Sequence, residues 1–327
     1  MRNSTRRAML VQASAFLFAL GTSSASAPGL RRLFRVGVLT PSARAAPNYD
    51  GLFDELRELG LIEGRNPIFD QRGFAAGFAQ FPELAADLVN AGVDAILCGG
   101  DAAIRAVQQA TATIPIIGVT DDFLRAGLVQ SLRNPGSNTT GISMLASELD
   151  GKRQQILIEL LPNIRRMAAL ADVNTTPPLQ IEKLETAARE QGVTLATYRV
   201  TDPDEVVAAI DRLKGDGNEA LNIPASPLFN ITQNEVFARA AALRLPVMHH
   251  TPEMAAAGGL IAYGPRFSQI GRLQARLLAK VLRGARPGDL PVELPTKFEL
   301  AINLGVANAM GLKVPQRMIA LADEVIE

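Results

Sequence analysis

The stretch that most constrains the fold is residues 93–103, which read VDAILCGGDAA. A short strand-type run, residues 93–98, stops at Gly99-Gly100, and a helix-type sequence begins at Asp101. A strand, a glycine turn and a helix start place free backbone N–H groups at the carboxyl end of a strand. Ligands of open α/β sheets bind outside such strand ends. The stretch therefore predicts an α/β fold with a ligand site beside the two glycines.

Strand-type and helix-type segments alternate along both halves of the chain, at roughly 30-residue spacing in the first half. Apolar runs predict strands at residues 34–40, 67–73, 93–98, 114–119, 139–144, 166–173, 194–200, 220–223, 246–249, 258–263 and 299–303. Amphipathic spacing predicts the helices between them, including one from residue 228 to residue 243. This alternation is typical of parallel strands joined by right-handed crossovers.

The pattern restarts near residue 145, which predicts two doubly wound parallel-sheet lobes joined by a multi-strand hinge. We expect an N-terminal lobe of residues 33–144 plus about 264–297, and a C-terminal lobe of residues 145–263 plus about 298–327. Two α/β lobes joined by several strands leave a cleft between their strand ends, which is suited to closing on a small ligand.

Residues 1–27 have the layout of an export signal peptide. Arg2, Arg6 and Arg7 precede a short apolar run, and small residues follow up to Ala27. The paired arginines fit a twin-arginine signal or an ordinary Sec signal. Cys98 is the only cysteine in the sequence, so the signal region has no thiol to carry a lipid. We therefore expect a periplasmic protein without a direct membrane anchor, and a monomer.

Enzymatic signatures are scarce in this sequence. It has no G-x-G-x-x-G, no phosphate-binding loop ending in Gly-Lys-Ser/Thr, no H-E-x-x-H and no G-x-S-x-G. Its two histidines, His249 and His250, are adjacent, so a strand would point them to opposite faces. Lys and Arg total 33 and Asp and Glu total 33, which gives no basic excess for nucleic acid. We expect no enzyme, no cofactor and no bound metal.

The candidate ligand-binding residues follow predicted strands or lie near the hinge. They are Thr40, Gly99, Gly100, Asp101, Thr120, Asp121, Asp122, Asn174, Ser226, Phe229, His249 and Tyr263. N–H groups around Gly100 are expected to hold a ligand carboxylate, and Asp121 or Asp122 a ligand ammonium. The Asp and Ser residues also fit helix N-caps or turns, and Phe229 also fits the core.

Several motifs resemble the TrpX-type ABC transporter substrate-binding family. They are residues 59–66 (LGLIEGRN), 134–141 (NPGSNTTG), 257–265 (AGGLIAYGP), 290–303 (LPVELPTKFELAIN) and 322–327 (ADEVIE). The resemblance covers essentially the whole chain after the signal. It implies a type I periplasmic binding fold with three crossings between the lobes, the opening and closing of a Venus flytrap, and partnership with an ABC permease driven by a separate ATPase.

The departures from the family pattern fall at expected pocket walls. Where Thr-Gly-Gly, Asn-Pro-Asn and an acidic-Pro-Phe-Phe turn are usual, this chain has Cys98-Gly99-Gly100, Asp172-Val173-Asn174 and residues 225–229 (ASPLF). The family's best-known ligands are aromatic amino acids. We expect a small solute: an amino acid, aromatic or branched, or a related small carboxylate. A ligand sensor feeding a receptor is the alternative, ahead of an exported α/β hydrolase.

Overall fold

The computed structural model describes residues 33–327, so the expected signal peptide at residues 1–27 lies outside the described part. Its strands are β1 (Phe34–Leu39), β2 (Pro67–Phe69), β3 (Ala95–Gly99), β4 (Ile116–Thr120), β5 (Thr139–Ser143), β6 (Arg166–Asp172), β7 (Thr194–Val200), β8 (Ala220–Asn222), β9 (Val247–His249), β10 (Ile261–Gly264), β11 (Glu299–Asn303) and β12 (Glu324–Ile326). Its helices are α1 (Pro47–Glu58), α2 (Phe81–Asn90), α3 (Asp101–Ala110), α4 (Ala146–Leu160), α5 (Pro178–Glu190), α6 (Pro203–Gly215), α7 (Pro227–Ile231), α8 (Gln233–Leu243), α9 (Pro252–Ala256), α10 (Phe267–Leu282), α11 (Leu304–Met310) and α12 (Gln316–Leu321).

The strands form two separate sheets. The first sheet has the order β2-β1-β3-β4-β5, and the second has the order β12-β11-β10-β9-β8-β6-β7. Neighbouring strands pair in parallel throughout both sheets, except that β10 and β11 are antiparallel. The predicted α/β fold with two parallel-sheet lobes is confirmed.

Helices cover both faces of each sheet. In the first sheet, α1 and α10 bury one face and α2 and α3 bury the other. In the second sheet, α6 and α8 pack on one face, and α4 packs on the other. Strands buried on both faces read as continuous apolar runs, which is why they stand out in the sequence. Within residues 33–327, no helix has the length and apolar character needed to cross a membrane.

The chain passes between the two sheets three times. It leaves the first sheet after β5 to form α4, and returns after β10, when α10 packs on the first sheet. An isolated bridge from Ile142 to Glu293 then holds the returning chain beside β5 before it enters β11. β11 therefore enters the second sheet from the other sheet's side, which accounts for its antiparallel pairing with β10. The lobe boundaries predicted from the sequence stay a prediction.

Helices α1 and α10 touch through their backbones. A Cβ atom added at Gly271 would lie 1.7 Å from the Asn48 carbonyl oxygen, and one at Gly51 would lie 2.0 Å from the Ser268 carbonyl oxygen. Contacts this short leave no room for a side chain on either helix. The two glycines therefore fix how closely the returning helix docks on the first sheet.

A buried arginine of α4 holds several segments of the second sheet together. Arg153 of α4 donates Nη1 to Asp150 Oδ1 (2.6 Å), Nε to the Tyr263 carbonyl (2.7 Å) and Nη2 to the His250 carbonyl (3.3 Å). Both charged side chains are at most 1% exposed. Gln180 of α5 donates to the other oxygen of Asp150. The network ties α4 and α5 to the ends of β9 and β10.

Some local elements differ from the sequence prediction. The helix predicted at residues 228–243 divides into α7 and α8, where the Thr232 hydroxyl bonds to the Leu228 carbonyl and bends the chain. The strand predicted at residues 67–73 ends at Phe69, because the Asp70 carboxylate accepts the Arg72 N–H and closes a 3₁₀ turn. Helices α9, α11 and α12 and strand β12 were not predicted; each is seven residues or shorter, too short for a clear periodic signal.

We expect Gly271→Ala to lower the free energy of unfolding by about 1–3 kcal/mol or more, because the added methyl collides with backbone rather than with a movable side chain. Gly151→Ala, within α4, is the matched control, since nothing lies within 4 Å of its added Cβ. The control should be neutral or stabilising by up to about 1 kcal/mol, from helix propensity alone. Urea unfolding measures both, and equal effects would contradict the close docking.

The pKa of Asp150 gives a second prediction. Burial raises this pKa to about 6, so the folded protein holds a proton that the unfolded chain releases at lower pH. The contribution of Asp150 to the free energy of unfolding therefore rises as pH falls from above 6 to below about 4. Asp150→Asn removes this titration. We expect the wild-type value minus the Asp150→Asn value to grow by about 1–3 kcal/mol from pH 7 to pH 4.

The control for this measurement is Asp289→Asn, which changes a carboxylate with 74% of its side chain exposed. Its difference from the wild-type protein should stay flat over the same pH range. A flat difference for Asp150→Asn as well would show that the Asp150 carboxyl does not titrate as its burial requires.

Candidate ligand-binding site

The carboxyl ends of β1, β3 and β4 meet at one edge of the first sheet. Leu39 of β1 pairs with Cys98 of β3, and Gly99 of β3 pairs with Val119 of β4. This register brings Thr40, the double glycine and Thr120 together, as the strand–glycine–helix pattern predicts. A Cβ atom at Gly99 would lie 2.5 Å from Thr40 Oγ1, so a side chain at this position would have to displace the Thr40 hydroxyl.

Gly100 and Asp101 start α3 at this edge. Gly100 has φ +87°, which glycine adopts easily, and its N–H donates to the Val119 carbonyl at 2.8 Å. The Thr120 hydroxyl donates to Asp101 Oδ1, and burial raises the pKa of Asp101. The hydrogen bond ties the end of β4 to the start of α3.

The two aspartates after β4 have different surroundings. Asp121 forms an ion pair with Arg125 (2.6 Å) and accepts the Ser147 N–H (3.1 Å). Asp122 Oδ1 accepts the backbone N–H groups of Leu124 (2.9 Å) and Arg125 (3.0 Å). Asp122 thus closes a turn, which is the alternative role that the sequence left open.

On the second sheet, Ser226 begins α7. Its hydroxyl donates to Asp172 Oδ2 (2.5 Å) and accepts the Leu228 N–H (3.0 Å), so it is an N-cap as well as a lining residue. Asp172 also accepts the Asn174 N–H (2.9 Å). The Asn174 side chain is exposed, and its neighbour Thr175 lines the site instead.

The adjacent histidines at the end of β9 face opposite ways. His249 packs edge-on against Phe237 (ring centroids 5.1 Å apart), and burial lowers its pKa to about 3. His250 faces the cleft, where Nε2 hydrogen-bonds Asn230 Oδ1 at 2.9 Å and the ring meets Phe267 edge-on. Strand alternation signals one inward and one outward histidine, but without the sheet it does not tell which is which.

These edges of the two sheets enclose a cavity of about 540 Å³. The first wall comprises residues 40–43, 45–49, 75, 98–101, 119–121, 125, 144, 267, 270 and 274, and the second wall comprises residues 175, 180, 225–227, 230, 231, 233, 250, 251, 253, 254 and 257. The two walls approach closely at Gly100, whose Cβ position lies 3.5 Å from Pro227 Cγ. Apolar side chains contribute much of the lining: Tyr49, Met144, Ile231, Met254, Phe267 and Ile270.

Seven of the predicted residues line this cavity: Thr40, Gly99, Gly100, Asp101, Thr120, Asp121 and Ser226. Five do not: Asp122, Asn174, Phe229, His249 and Tyr263. Phe229 is 2% exposed and lies in the hydrophobic core on one face of the second sheet. Tyr263 packs against the core on the other face, and its backbone carbonyl accepts a hydrogen bond from Arg153.

Sequence reasoning missed several lining residues that the tertiary structure supplies. Tyr49 lies in the first turn of α1, and Phe267 begins α10. His250 and Thr251 directly follow β9, and Glu253 lies in the first turn of α9. The rule that ligands bind outside strand carboxyl ends would have selected this last segment. No group of three or more His, Cys, Asp or Glu side chains arranged for a metal ion occurs in the described residues 33–327.

Comparisons with known proteins agree with this geometry. The chain is 26% identical over 268 residues to a protein named tyrosine-binding protein from Clostridioides difficile (strain R20291), covering 80% of this chain and 76% of that protein. A structure from Streptococcus pneumoniae, described as an ABC domain in complex with L-Trp, superposes with a TM-score of 0.80 at 23% identity, over 90% of this chain and 100% of that one.

A conserved domain protein from Vibrio cholerae superposes with a TM-score of 0.81 at 23% identity, over 90% of this chain and 99% of that one. The model of the family described as ABC transporter substrate binding protein matches residues 37–326. The resemblance stated from the sequence motifs is confirmed. The chain belongs to the ABC transporter substrate-binding protein family.

Proposed function

We propose that this protein binds a small amino acid with an aromatic or branched apolar side chain, between its two sheets. The observation that carries the proposal is the cavity at the facing strand ends. It combines polar groups at the carboxyl ends of β1, β3, β4 and β9 with an apolar lining. Its volume of about 540 Å³ falls in the range of sites for small molecules. Relatives named for tyrosine and crystallised with L-Trp support this ligand class.

The apolar part of the cavity suits a planar or branched side chain. Tyr49 of the first wall is 4% exposed, and burial raises the pKa of its hydroxyl to about 12, so the ring remains neutral at physiological pH. Phe267 and Ile270 lie on the first turn of α10, and Met254 approaches from the second wall. Aromatic rings and methionine sulfur both pack favourably against a ligand ring.

In this proposal the protein acts in the periplasm as the binding component of an importer. Export rests on the signal-like residues 1–27. The closed protein would present its ligand to an ABC permease driven by a separate ATPase, and it would act as a monomer without catalysing a reaction. Family membership supports the transport role.

Purified protein from residue 28 onward tests the proposed function. We expect an aromatic or branched amino acid to raise the melting temperature, because a ligand that binds only the folded state stabilises it by mass action. At a ligand concentration 100 times Kd the gain is about 2.7 kcal/mol. Thermal-shift screening of the twenty amino acids, followed by isothermal titration calorimetry of the hits, gives the measurement. Absence of any amino-acid hit would overturn this ligand class.

Phe267→Ala should weaken binding of an aromatic amino acid roughly tenfold, because the variant loses a ring contact of about 1–1.5 kcal/mol. Phe78→Ala is the matched control, since Phe78 is 45% exposed and lies outside the cavity. The control should keep the wild-type Kd. Equal Kd values for wild type and Phe267→Ala would place the ligand's ring elsewhere in the cavity.

A further inference from the structure

The charged groups of the cavity lining are mostly acidic. Among the described lining residues, Asp101, Asp121 and Glu253 carry carboxyl groups, and Arg125 carries the one guanidinium. His250 is neutral at physiological pH, because burial lowers its pKa well below the ordinary value. Such a lining favours a ligand group that brings positive charge and hydrogen-bond donors.

The two first-wall carboxylates already have protein partners. Asp101 accepts the Thr120 hydroxyl. Asp121 is bound by the Arg125 guanidinium through one oxygen and by the Ser147 N–H through the other. A ligand ammonium at Asp121 would have to compete with an ion pair of 2.6 Å. The sequence-based choice of Asp121 or Asp122 for the ammonium therefore has little support from these contacts.

Glu253 of the second wall is different. Its Oε1 accepts the Ser268 N–H at 3.2 Å, while its Oε2 is buried without a hydrogen-bond partner. Burial raises the pKa of Glu253, and the backbone N–H groups of Glu253 itself, Ser268 and Phe267, together with the charge of Arg266, oppose that shift only in part. A buried carboxylate oxygen without a donor is costly, so a cationic ligand group would relieve a strain that is already present.

Two residues close to Glu253 in the chain add further acceptors that lack a hydrogen-bond partner. Thr251 is 1% exposed and His250 is 2% exposed, and both line the cavity. Thr251 Oγ1 and His250 Nδ1 are buried without a hydrogen-bond partner. Because His250 Nε2 bonds to the Asn230 amide oxygen, the proton of the neutral ring sits on Nε2 and leaves Nδ1 as an acceptor.

We propose that His250, Thr251 and Glu253, hereafter the β9 acceptor cluster, bind the ammonium group of the ligand. An ammonium has three N–H donors, and the cluster offers three acceptors without protein partners, one of them a carboxylate. The assignment rests on the proposed function and deepens it, because it makes the amine the required group of the ligand. The ligand carboxylate meets a lining that already carries three acids and therefore contributes less to affinity.

A matched series of three ligands tests whether the ammonium group contributes more to affinity than the carboxylate does. L-tyrosine has both charged groups, tyramine lacks the carboxylate, and 3-(4-hydroxyphenyl)propionate lacks the ammonium. Titration calorimetry on the wild-type protein should give a Kd for the propionate at least tenfold higher than that for tyramine. A propionate that binds as tightly as tyramine or more tightly would overturn the assignment. L-tryptophan with tryptamine and indole-3-propionate provides the same series for a larger ring.

Variants test the cluster itself. Glu253→Gln keeps the size of the side chain and removes its charge, so it should raise the Kd for L-tyrosine and tyramine roughly 10- to 100-fold. It should leave the weak propionate Kd unchanged or lower it. Thr251→Val, which replaces the hydroxyl by a methyl, should raise the amine Kd severalfold. Glu182→Gln, on the exposed face of α5 and outside the cavity, is the charge-matched control and should bind as the wild-type protein does.

The measurements distinguish a failure of this assignment from a failure of the proposed function. Thermal melting without ligand checks folding, and Glu253→Gln should melt at or above the wild-type temperature, because it relieves a buried charge. If wild-type protein binds L-tyrosine or L-tryptophan and Glu253→Gln keeps the Kd within twofold, the β9 acceptor cluster is not the ammonium site. If wild-type protein binds no amino acid, the proposed function fails and the assignment fails with it.

Discussion

The architecture depends on the direct backbone contact between α1 and α10. Helix α10 follows a strand of the second sheet, yet it packs against the first sheet, and Gly51 and Gly271 allow the two helix backbones to touch. Because the chain must reach this docking position and then return to form β11, it crosses between the sheets twice more after α4. The contact thus connects a local property, the absence of two side chains, to the arrangement that places the two strand edges face to face. It also brings Phe267 and Ile270 into the cavity.

The two walls of the cavity use their polar groups differently. On the first wall, Thr120 binds Asp101 and Arg125 binds Asp121, so these side chains mainly hold the loops in place. On the second wall, the β9 acceptor cluster keeps three atoms without partners. Arg153 supports this wall from behind through the His250 carbonyl. A first wall whose polar groups are paired and a second wall with unpaired acceptors fit the proposal that a ligand binds between the two.

Prediction from the sequence succeeded where a signal is local. The strand before Gly99-Gly100, the alternation of strands and helices and the restart near residue 145 all follow from periodicity and turn residues. Prediction was less successful where the role of a residue depends on residues that are distant in the sequence. Ser226 fits a helix cap and a ligand contact equally well from the sequence; the structure shows the cap and places the residue in the cavity lining. For Phe229 the sequence offered a ligand contact but favoured core packing, and the packing of α7 on the second sheet places it in the core.

The sequence by itself determined the fold class, the family and the position of one sheet edge. Strand and helix periods, glycine turns and family motifs each depend only on residues that are close together in the sequence. The tertiary structure decided which histidine faces the cleft, which aspartates are already paired, and that Glu253 stands beside a cavity built largely from distant residues. Those outcomes depend on contacts between segments far apart in the sequence. Arg153 binds the carbonyl of His250, 97 residues later, and Asp121 accepts the N–H of Ser147, 26 residues later. Hydrogen-bond satisfaction is likewise a property of the folded chain, since a carboxylate is committed or free only relative to the donors that folding brings to it.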